Sequence, residues 1–192
     1  LYYRALLECC DADFVSSEEI ARITGATASQ VRKDLAYFGQ FGAPGKGYES
    51  DALKRSIVKI LGTDREWHVA LVGVGNLGSA FLSYKGFANQ GFRIVCAFDN
   101  DLRKVGRSSE GIIIKDISEL ESVAKLKRID VAIVTVPQGN AQDVVNRLVK
   151  IGVRAILNFA PIRPHVPLGV EVLNIDLSIE LERLAYFLTG SK

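Results

Sequence analysis

His68-Val69-Ala70-Leu71-Val72-Gly73-Val74-Gly75-Asn76-Leu77-Gly78 is the stretch whose reading decides the fold. The run from His68 to Val72 reads as a fully buried strand. It leads straight into a GxGxxG pattern, and helix-like residues from Ser79 to Tyr84 follow. Each glycine has a task in a dinucleotide-binding turn: Gly73 makes the tight turn, Gly75 lets the backbone approach a pyrophosphate, and Gly78 lets the helix pack on the strand. Val74, Asn76 and Leu77 complete the loop, and the helix start offers free amides and a favourable dipole to phosphate. The pattern gains weight from a second buried strand, Phe92 to Phe98, which ends at Asp99 and Asn100, about twenty residues further on. A carboxylate there accepts ribose hydroxyls and repels a 2′-phosphate, and with Asp101 close by it favours NAD(H) over NADP(H). Arg103, Lys104 and Arg107 pull the other way.

Towards the C-terminus the alternation continues. Gly111 to Ile114 reads as a strand, Ile117 to Ala124 as a helix, Val131 to Val136 as a buried strand, Ala141 to Ile151 as a helix and Ala155 to Phe159 as a strand. Alternation of this kind predicts a doubly wound, mostly parallel α/β sheet with ligand at the carboxyl ends of its strands. Two such ends, Thr135-Val136-Pro137 and Asn158-Phe159-Ala160-Pro161, are assigned to the nicotinamide half of the site, against the plainer reading that they are ordinary strand-to-loop turns. A last strand, Val170 to Asn174, precedes a helix from Ile179 to Leu188. That helix carries Leu181, Leu184, Ala185 and Leu188 on one side, and either packs on its own domain or serves a dimer.

Towards the N-terminus the pattern is different, with a boundary expected between Gly62 and Glu66. Tyr3, Leu6, Leu7 and Cys10 give residues 1–11 one apolar stripe. A short helix runs from Glu18 to Thr24, capped by Ser16 or Ser17 with Glu19 completing a capping box, and it ends at Gly25. Thr27 or Ser29 caps the next helix, whose inner face is Val31, Leu35 and Phe38. Its outer face carries Ser29, Gln30, Arg32 and Lys33 near the N-terminal end, the end that a helix-turn-helix places in the major groove. Gln30 and Arg32 are expected to reach base edges, and Ser29 and Lys33 to grip phosphates. A plain three-helix bundle is the alternative. Gly39, Gly42, Gly45 and Gly47 then punctuate a hairpin with Lys46 and Tyr48 at its tip, and a helix through Leu53, Ile57, Ile60 and Leu61 follows. Helix-turn-helix plus glycine-rich hairpin predicts a winged helix, its lysine and backbone amides, that of Gly47 among them, resting on phosphates or in the adjacent minor groove.

Composition agrees with two soluble domains. Among the 192 residues, 48% are hydrophobic and 24% charged, and no apolar run approaches the roughly 18 residues of a membrane span. The net charge is +2. Between Thr27 and Lys59, six bases (Arg32, Lys33, Lys46, Lys54, Arg55, Lys59) face three acids (Asp34, Glu49, Asp51), a local excess where a polyanion would be touched. Cys9, Cys10 and Cys96 show no metal-ligand spacing, so no metal is expected and a reducing cytosol fits; a redox role for Cys9 or Cys10 is the minor alternative. His68 and His165 stand far apart, in settings that suggest no catalysis. Leu1 opens inside a helix, so residues are expected before it, and no signal peptide is visible.

With both halves in view, the chain resembles the Rex family of redox-sensing repressors along nearly its whole length. The resemblance is carried by Tyr2-Tyr3-Arg4, Gln30-Val31-Arg32-Lys33-Asp34-Leu35, Tyr37-Phe38-Gly39, and Gly42 with Gly45-Lys46-Gly47-Tyr48. In the second half it rests on Val72 through Gly78, Phe98-Asp99, Thr135-Val136-Pro137 and Leu157-Asn158-Phe159-Ala160-Pro161. It implies a cytoplasmic homodimer that holds a palindromic double-stranded DNA operator, alone or with NAD+, and releases it on binding NADH. It divides the chain into a winged-helix DNA-binding domain (1–64), a Rossmann NAD(H)-binding domain (65–177) and a C-terminal helix (178–192) swapped between subunits. It makes Tyr186 or Phe187 a contact to the partner's cofactor, and Arg4 with Asp176 the ion pair that couples cofactor state to the DNA-binding domain. Phe98 departs from the family pattern in carrying no hydroxyl.

Rival readings are a small NAD-dependent dehydrogenase, a CoA-binding domain, or a DNA-binding protein whose Rossmann domain only dimerises. A dehydrogenase needs a substrate domain and a proton-transfer group near the nicotinamide, and little chain remains for either. The chain is therefore read as a sensor and not an enzyme. An apolar pocket near Phe159 and Pro161 is expected to suit the uncharged reduced ring better than the cationic oxidised one.

Overall fold

The computed structural model describes residues 1–8, 12–43 and 45–190, which form two compact units, Leu1–Arg65 and Glu66–Lys192. Cys9 and Cys10 lie outside the described residues.

In the first unit the helices are α1 (Tyr2–Glu8), α2 (Ser17–Thr24), α3 (Ala28–Phe38) and α4 (Ser50–Leu61). Ser16 is the N-cap of α2: its hydroxyl accepts from the Glu19 N–H while the Glu19 carboxylate accepts from the Ser16 N–H. Gly25, left-handed at φ 71°, stops that helix two residues before Thr27 caps α3. Strands β2 (Gly42–Ala43) and β3 (Gly47–Glu49) form the hairpin. A strand that the sequence does not announce, β1 (Phe14–Val15), pairs antiparallel with β3 and ties the wing to the start of α2. The core is Ala5, Leu6, Val15, Ile20, Ala21, Val31, Leu35, Leu53 and Ile57, one stripe from each element. Leu7 and Phe38 are exposed, not inward; on α3 the inner stripe ends at Leu35, and Phe38 instead stacks edge-on against Tyr37.

The second unit contains β4 (Trp67–Val72), α5 (Asn76–Ser83), β5 (Phe92–Asp99), β6 (Ser108–Ser109), β7 (Ile112–Asp116), α6 (Leu120–Lys127), β8 (Val131–Val134), α7 (Gln138–Lys150), β9 (Ala155–Asn158), β10 (Glu171–Asn174) and α8 (Leu177–Gly190). The sheet order is β10-β9-β8-β4-β5-β7-β6, parallel except for the edge strand β6. Without that edge strand it is the doubly wound order of dinucleotide-binding folds, with β4 at the centre and the chain reversing direction between β4 and β8. Strand alternation sorts the core into two layers. Ala70, Val72, Cys96, Phe98, Ala132 and Val134 meet α6 and α7 on one face, and Val69, Leu71, Ala97 and Ile133 meet Leu82 of α5 on the other. Fully buried Phe98 and Leu71 each contribute roughly 1.5–3 kcal/mol by leaving water. Phe98, lacking a hydroxyl, is core. Every residue of α8 is exposed, including Leu177, Ile179, Leu181, Leu184, Tyr186 and Leu188.

Candidate functional site

A cleft of about 560 Å³ opens where the sheet reverses, at the carboxyl ends of β4, β5 and β8. It is lined by Gly73, Gly75, Asp99, Asn100, Thr135, Val136 and Pro137 from the predicted set. The glycine turn is fastened from three sides. Gly73 donates its N–H to the Phe98 carbonyl (2.8 Å), Val74 donates to Asp99 Oδ2 (2.7 Å), and the Thr135 hydroxyl donates to the Gly73 carbonyl (2.6 Å). Gly73 has φ 94°, and a Cβ there would stand 2.7 Å from the Thr135 carbonyl oxygen. A Cβ on buried Gly78 would overlap the Gly73 carbonyl, so helix and turn touch backbone to backbone. At Gly75 nothing lies within 4 Å of that position. The open space lies at the start of α5, where a pyrophosphate can come against backbone amides. With that space open beside the turn, the cleft fits a dinucleotide.

Asp99 has a task that spacing alone does not reveal. It is 7% exposed and accepts three hydrogen bonds: from Val74 N–H, from Asp101 N–H (2.8 Å) and from Lys104 Nζ (3.1 Å). Burial would raise its pKa, but the two backbone N–H groups and the Lys104 ammonium outweigh that and hold it below the ordinary carboxylate value. A carboxylate has about four acceptor sites, which leaves room for one further hydroxyl. Asp99 therefore clamps the turn as well as facing the cleft.

Other candidates are not brought into the cleft. Asn158 is buried, its amide donating to the Ala160 and Ile162 carbonyls and to Asn174 Oδ1 while Oδ1 accepts from the Ala160 N–H. Its side chain holds the turn after β9 together and ties it to β10, with both amide hydrogens engaged within the protein. The Phe159 ring packs against Phe81 (4.8 Å between centroids) in the α5 layer, so it is not the wall of an apolar pocket beside Pro161, which is exposed. Ala160 is buried. Asn76 and Leu77 sit exposed in the first turn of α5, and Tyr186 is exposed on α8. Asp176 accepts from the Ser178 N–H at the start of that helix (2.9 Å), while Arg4 is exposed on α1.

On the first unit, Ser29, Gln30, Arg32 and Lys33 all lie exposed on α3, and Lys46 is exposed at the hairpin turn. A groove of about 750 Å³ runs between the α2–α3 pair and the hairpin, lined by Ser17, Glu18, Arg32, Lys46, Gly47 and Tyr48 among others. Gly47 is forced by geometry, with φ 79° and the Val15 carbonyl oxygen 2.6 Å from where a Cβ would be. Tyr48 is half-buried against the core. Arg32 donates to Ser17 Oγ (2.8 Å) and Glu18 Oε1 (3.0 Å), so its reach is set from α2.

Two family models match: one described as "Putative DNA-binding protein N-terminus" over residues 1–36, the other as "CoA binding domain" over residues 64–162. A "Redox-sensing transcriptional repressor Rex" of Desulfitobacterium hafniense is 47% identical over 90% of this chain and 82% of its own length. The chain belongs to the Rex family of redox-sensing transcriptional repressors. Among solved Rex structures, RSP in complex with β-NAD+ and operator DNA superposes with a TM-score of 0.94 at 37% identity, covering 98% of this chain and 88% of that one. RSP in complex with β-NADH gives 0.88 at 36% identity, covering 98% and 89%. Membership in Rex decides between the sensor and dehydrogenase readings in favour of the repressor. No helix among the described residues is long and apolar enough to cross a membrane, and these residues contain no cluster of three or more metal-ligating side chains.

Five residues of the Rex cleft escape the sequence reading as ligand candidates: Ile117, Asn140, Asp143, Val144 and Arg147. The last four stand on one face of α7, at i, i+3, i+4 and i+7, a spacing that also describes any helix face. Arg147 is held rather than free: it donates to both oxygens of Glu121 (3.0 and 2.8 Å) and to the Ile117 carbonyl (2.7 Å). Hydrogen bonds from Arg147 and from backbone hold the Glu121 carboxyl down at about 2. A depressed carboxyl adds stability at pH values above its unfolded pKa and loses it as pH falls towards the folded value. The pair is partly exposed (24% and 38%), so Glu121→Gln is expected to lose only about 1 kcal/mol at pH 7. Urea unfolding should show that gap shrinking between about pH 4.5 and 2.

Proposed function

We propose that this chain is a redox-sensing repressor that binds operator DNA through α3 and the β2–β3 wing and releases it when NADH occupies the cleft at Gly73–Gly78. The observation that carries the reading is the coexistence, in one chain, of a basic helix-turn-helix face and a preformed dinucleotide turn whose one open glycine is Gly75. The turn residues Gly73 to Gly78 would seat the pyrophosphate. Asp99 would offer its remaining acceptor site to a ribose hydroxyl, and Thr135 to Pro137 would flank the nicotinamide half. The bound dinucleotide supplies no chemistry here beyond the charge and planarity of its nicotinamide ring.

The working form is a homodimer on a palindromic operator. Supporting this, α8 presents Leu181, Leu184 and Leu188 without burying them in its own chain, a helix apolar enough to need cover. In the dimer Tyr186 would approach the partner's nicotinamide. Release needs only that the reduced form prefer one dimer arrangement over another; the shift in operator occupancy cannot exceed that difference. A repressor of bacterial operators acts in the cytoplasm.

A gel shift on a palindromic operator, with NADH, NAD+ and NADPH side by side, tests the proposal. NADH is expected to release the DNA while NAD+ and NADPH at equal concentration do not, with light scattering giving two chains per duplex. Release by all three alike, or by none, refutes it.

A further inference from the structure

Gln30 stands in the first turn of α3, where a recognition helix meets base edges, and its side chain is not free to turn. Its Nε2 donates to Asp34 Oδ1 one helical turn on, and the other oxygen of the same carboxylate, Oδ2, accepts from the Tyr2 hydroxyl on α1. Asp34 and Tyr2 are both partly buried; Gln30 is exposed. The hydroxyl of Tyr2 is a firm donor, its pKa pushed up to about 12 by burial and by Asp34 itself.

An ionised carboxylate only accepts, so the Gln30 amide must present its nitrogen to Asp34; the flipped amide would set two acceptors against each other. Its carbonyl and one remaining N–H are then held outward together. That pair, one acceptor beside one donor, matches the major-groove edge of adenine, which offers a donor at N6 and an acceptor at N7. Guanine offers two acceptors there and would leave the carbonyl of Gln30 facing O6 or N7 unpaired.

We infer that Tyr2 and Asp34 are positioning residues that lock the Gln30 amide into one orientation and thereby make it a selector for adenine. The inference rests on α3 being the reading helix and adds the identity of the base and the residues that enforce it. It also places part of operator specificity on α1, whose Tyr2 hydroxyl reaches the reading helix at Asp34.

The test uses the full chain and a duplex that the wild-type chain has selected from a randomised library, with every position then substituted singly. Fluorescence anisotropy gives the affinity for each duplex. Gln30→Ala is expected to lose discrimination at one base pair per half-site, an A·T pair at which the wild type prefers adenine by roughly tenfold or more. Asp34→Asn, whose amide can accept or donate, is expected to lose most of that preference at the same pair only, with the salt dependence unchanged. Added to Gln30→Ala it should do nothing further. Tyr2→Phe should act in the same direction more weakly, and it carries the test alone if Asp34→Asn melts at a clearly lower temperature. Undiminished adenine preference in Asp34→Asn and Tyr2→Phe overturns the inference, as does a uniform loss across all duplexes. Normal operator binding by Gln30→Ala and Arg32→Ala together would instead overturn the assignment of α3.

Discussion

Gly75→Trp is expected to raise the Kd for NADH by about 100-fold, the equivalent of roughly 2.7 kcal/mol, while the protein keeps its operator affinity and its melting temperature. The site offers an unusual separation of roles. At Gly78 a new Cβ strikes the Gly73 carbonyl, and at Gly73 it meets Thr135, so either change distorts the turn and confounds binding with folding. Gly75 has φ −78° and no neighbour within 4 Å, so a side chain there strains nothing and occupies the volume that phosphate needs. Two charge-assisted hydrogen bonds from backbone amides, at about 1.5 kcal/mol each, are enough to account for the loss. The variant should repress constitutively. Isothermal titration with NADH and a gel shift with and without it give both halves of the result, and a variant that no longer holds DNA would show that the turn supports the fold rather than the ligand.

The second large effect is expected in the first unit. Arg32→Ala should weaken operator binding by about 1–3 kcal/mol and relax the choice of base at one position, whereas Lys33→Ala should weaken all sequences alike and lower the salt slope by about one. The structure refines the first of these. Arg32 is held by Ser17 and Glu18 across the mouth of the groove, so its approach to a base exchanges or shares those partners, and the measured loss should fall towards the lower end of the range. Affinities measured from 50 to 200 mM salt on operator and scrambled duplexes separate the two outcomes; equal salt slopes for both variants and the wild type would dismiss the phosphate role of Lys33.

Much of this is legible in the sequence. Buried strands announce themselves as short uncharged runs, and the spacing from Gly73 to Asp99 carries both the sheet centre and the ligand side, because turn and carboxylate belong to adjacent strands. The helix-turn-helix was legible for the same reason: its caps at Ser16 and Thr27 are local chemistry. What escaped is what depends on distant pairing. A two-residue strand such as β1 has no period to detect, and it exists because β3 offers it an edge. Arg147 reads as one more charge on a helix until the sheet brings it beside the cleft. Asn158 ends a strand on the binding side, as a ligand contact would, but three of its four hydrogen bonds lie inside the turn it closes and the fourth goes to Asn174 on β10.

The glycine turn proposed to seat the pyrophosphate is held by bonds within the protein, from Phe98, Asp99 and Thr135. Little order remains to be created on binding, which favours retention of whichever form of the nucleotide is abundant. Both forms carry the same diphosphate and the same adenosine, so this shared contribution divides out when one affinity is compared with the other. A receptor built this way answers to the proportion of the two forms and is nearly indifferent to how much of them the cell holds in total.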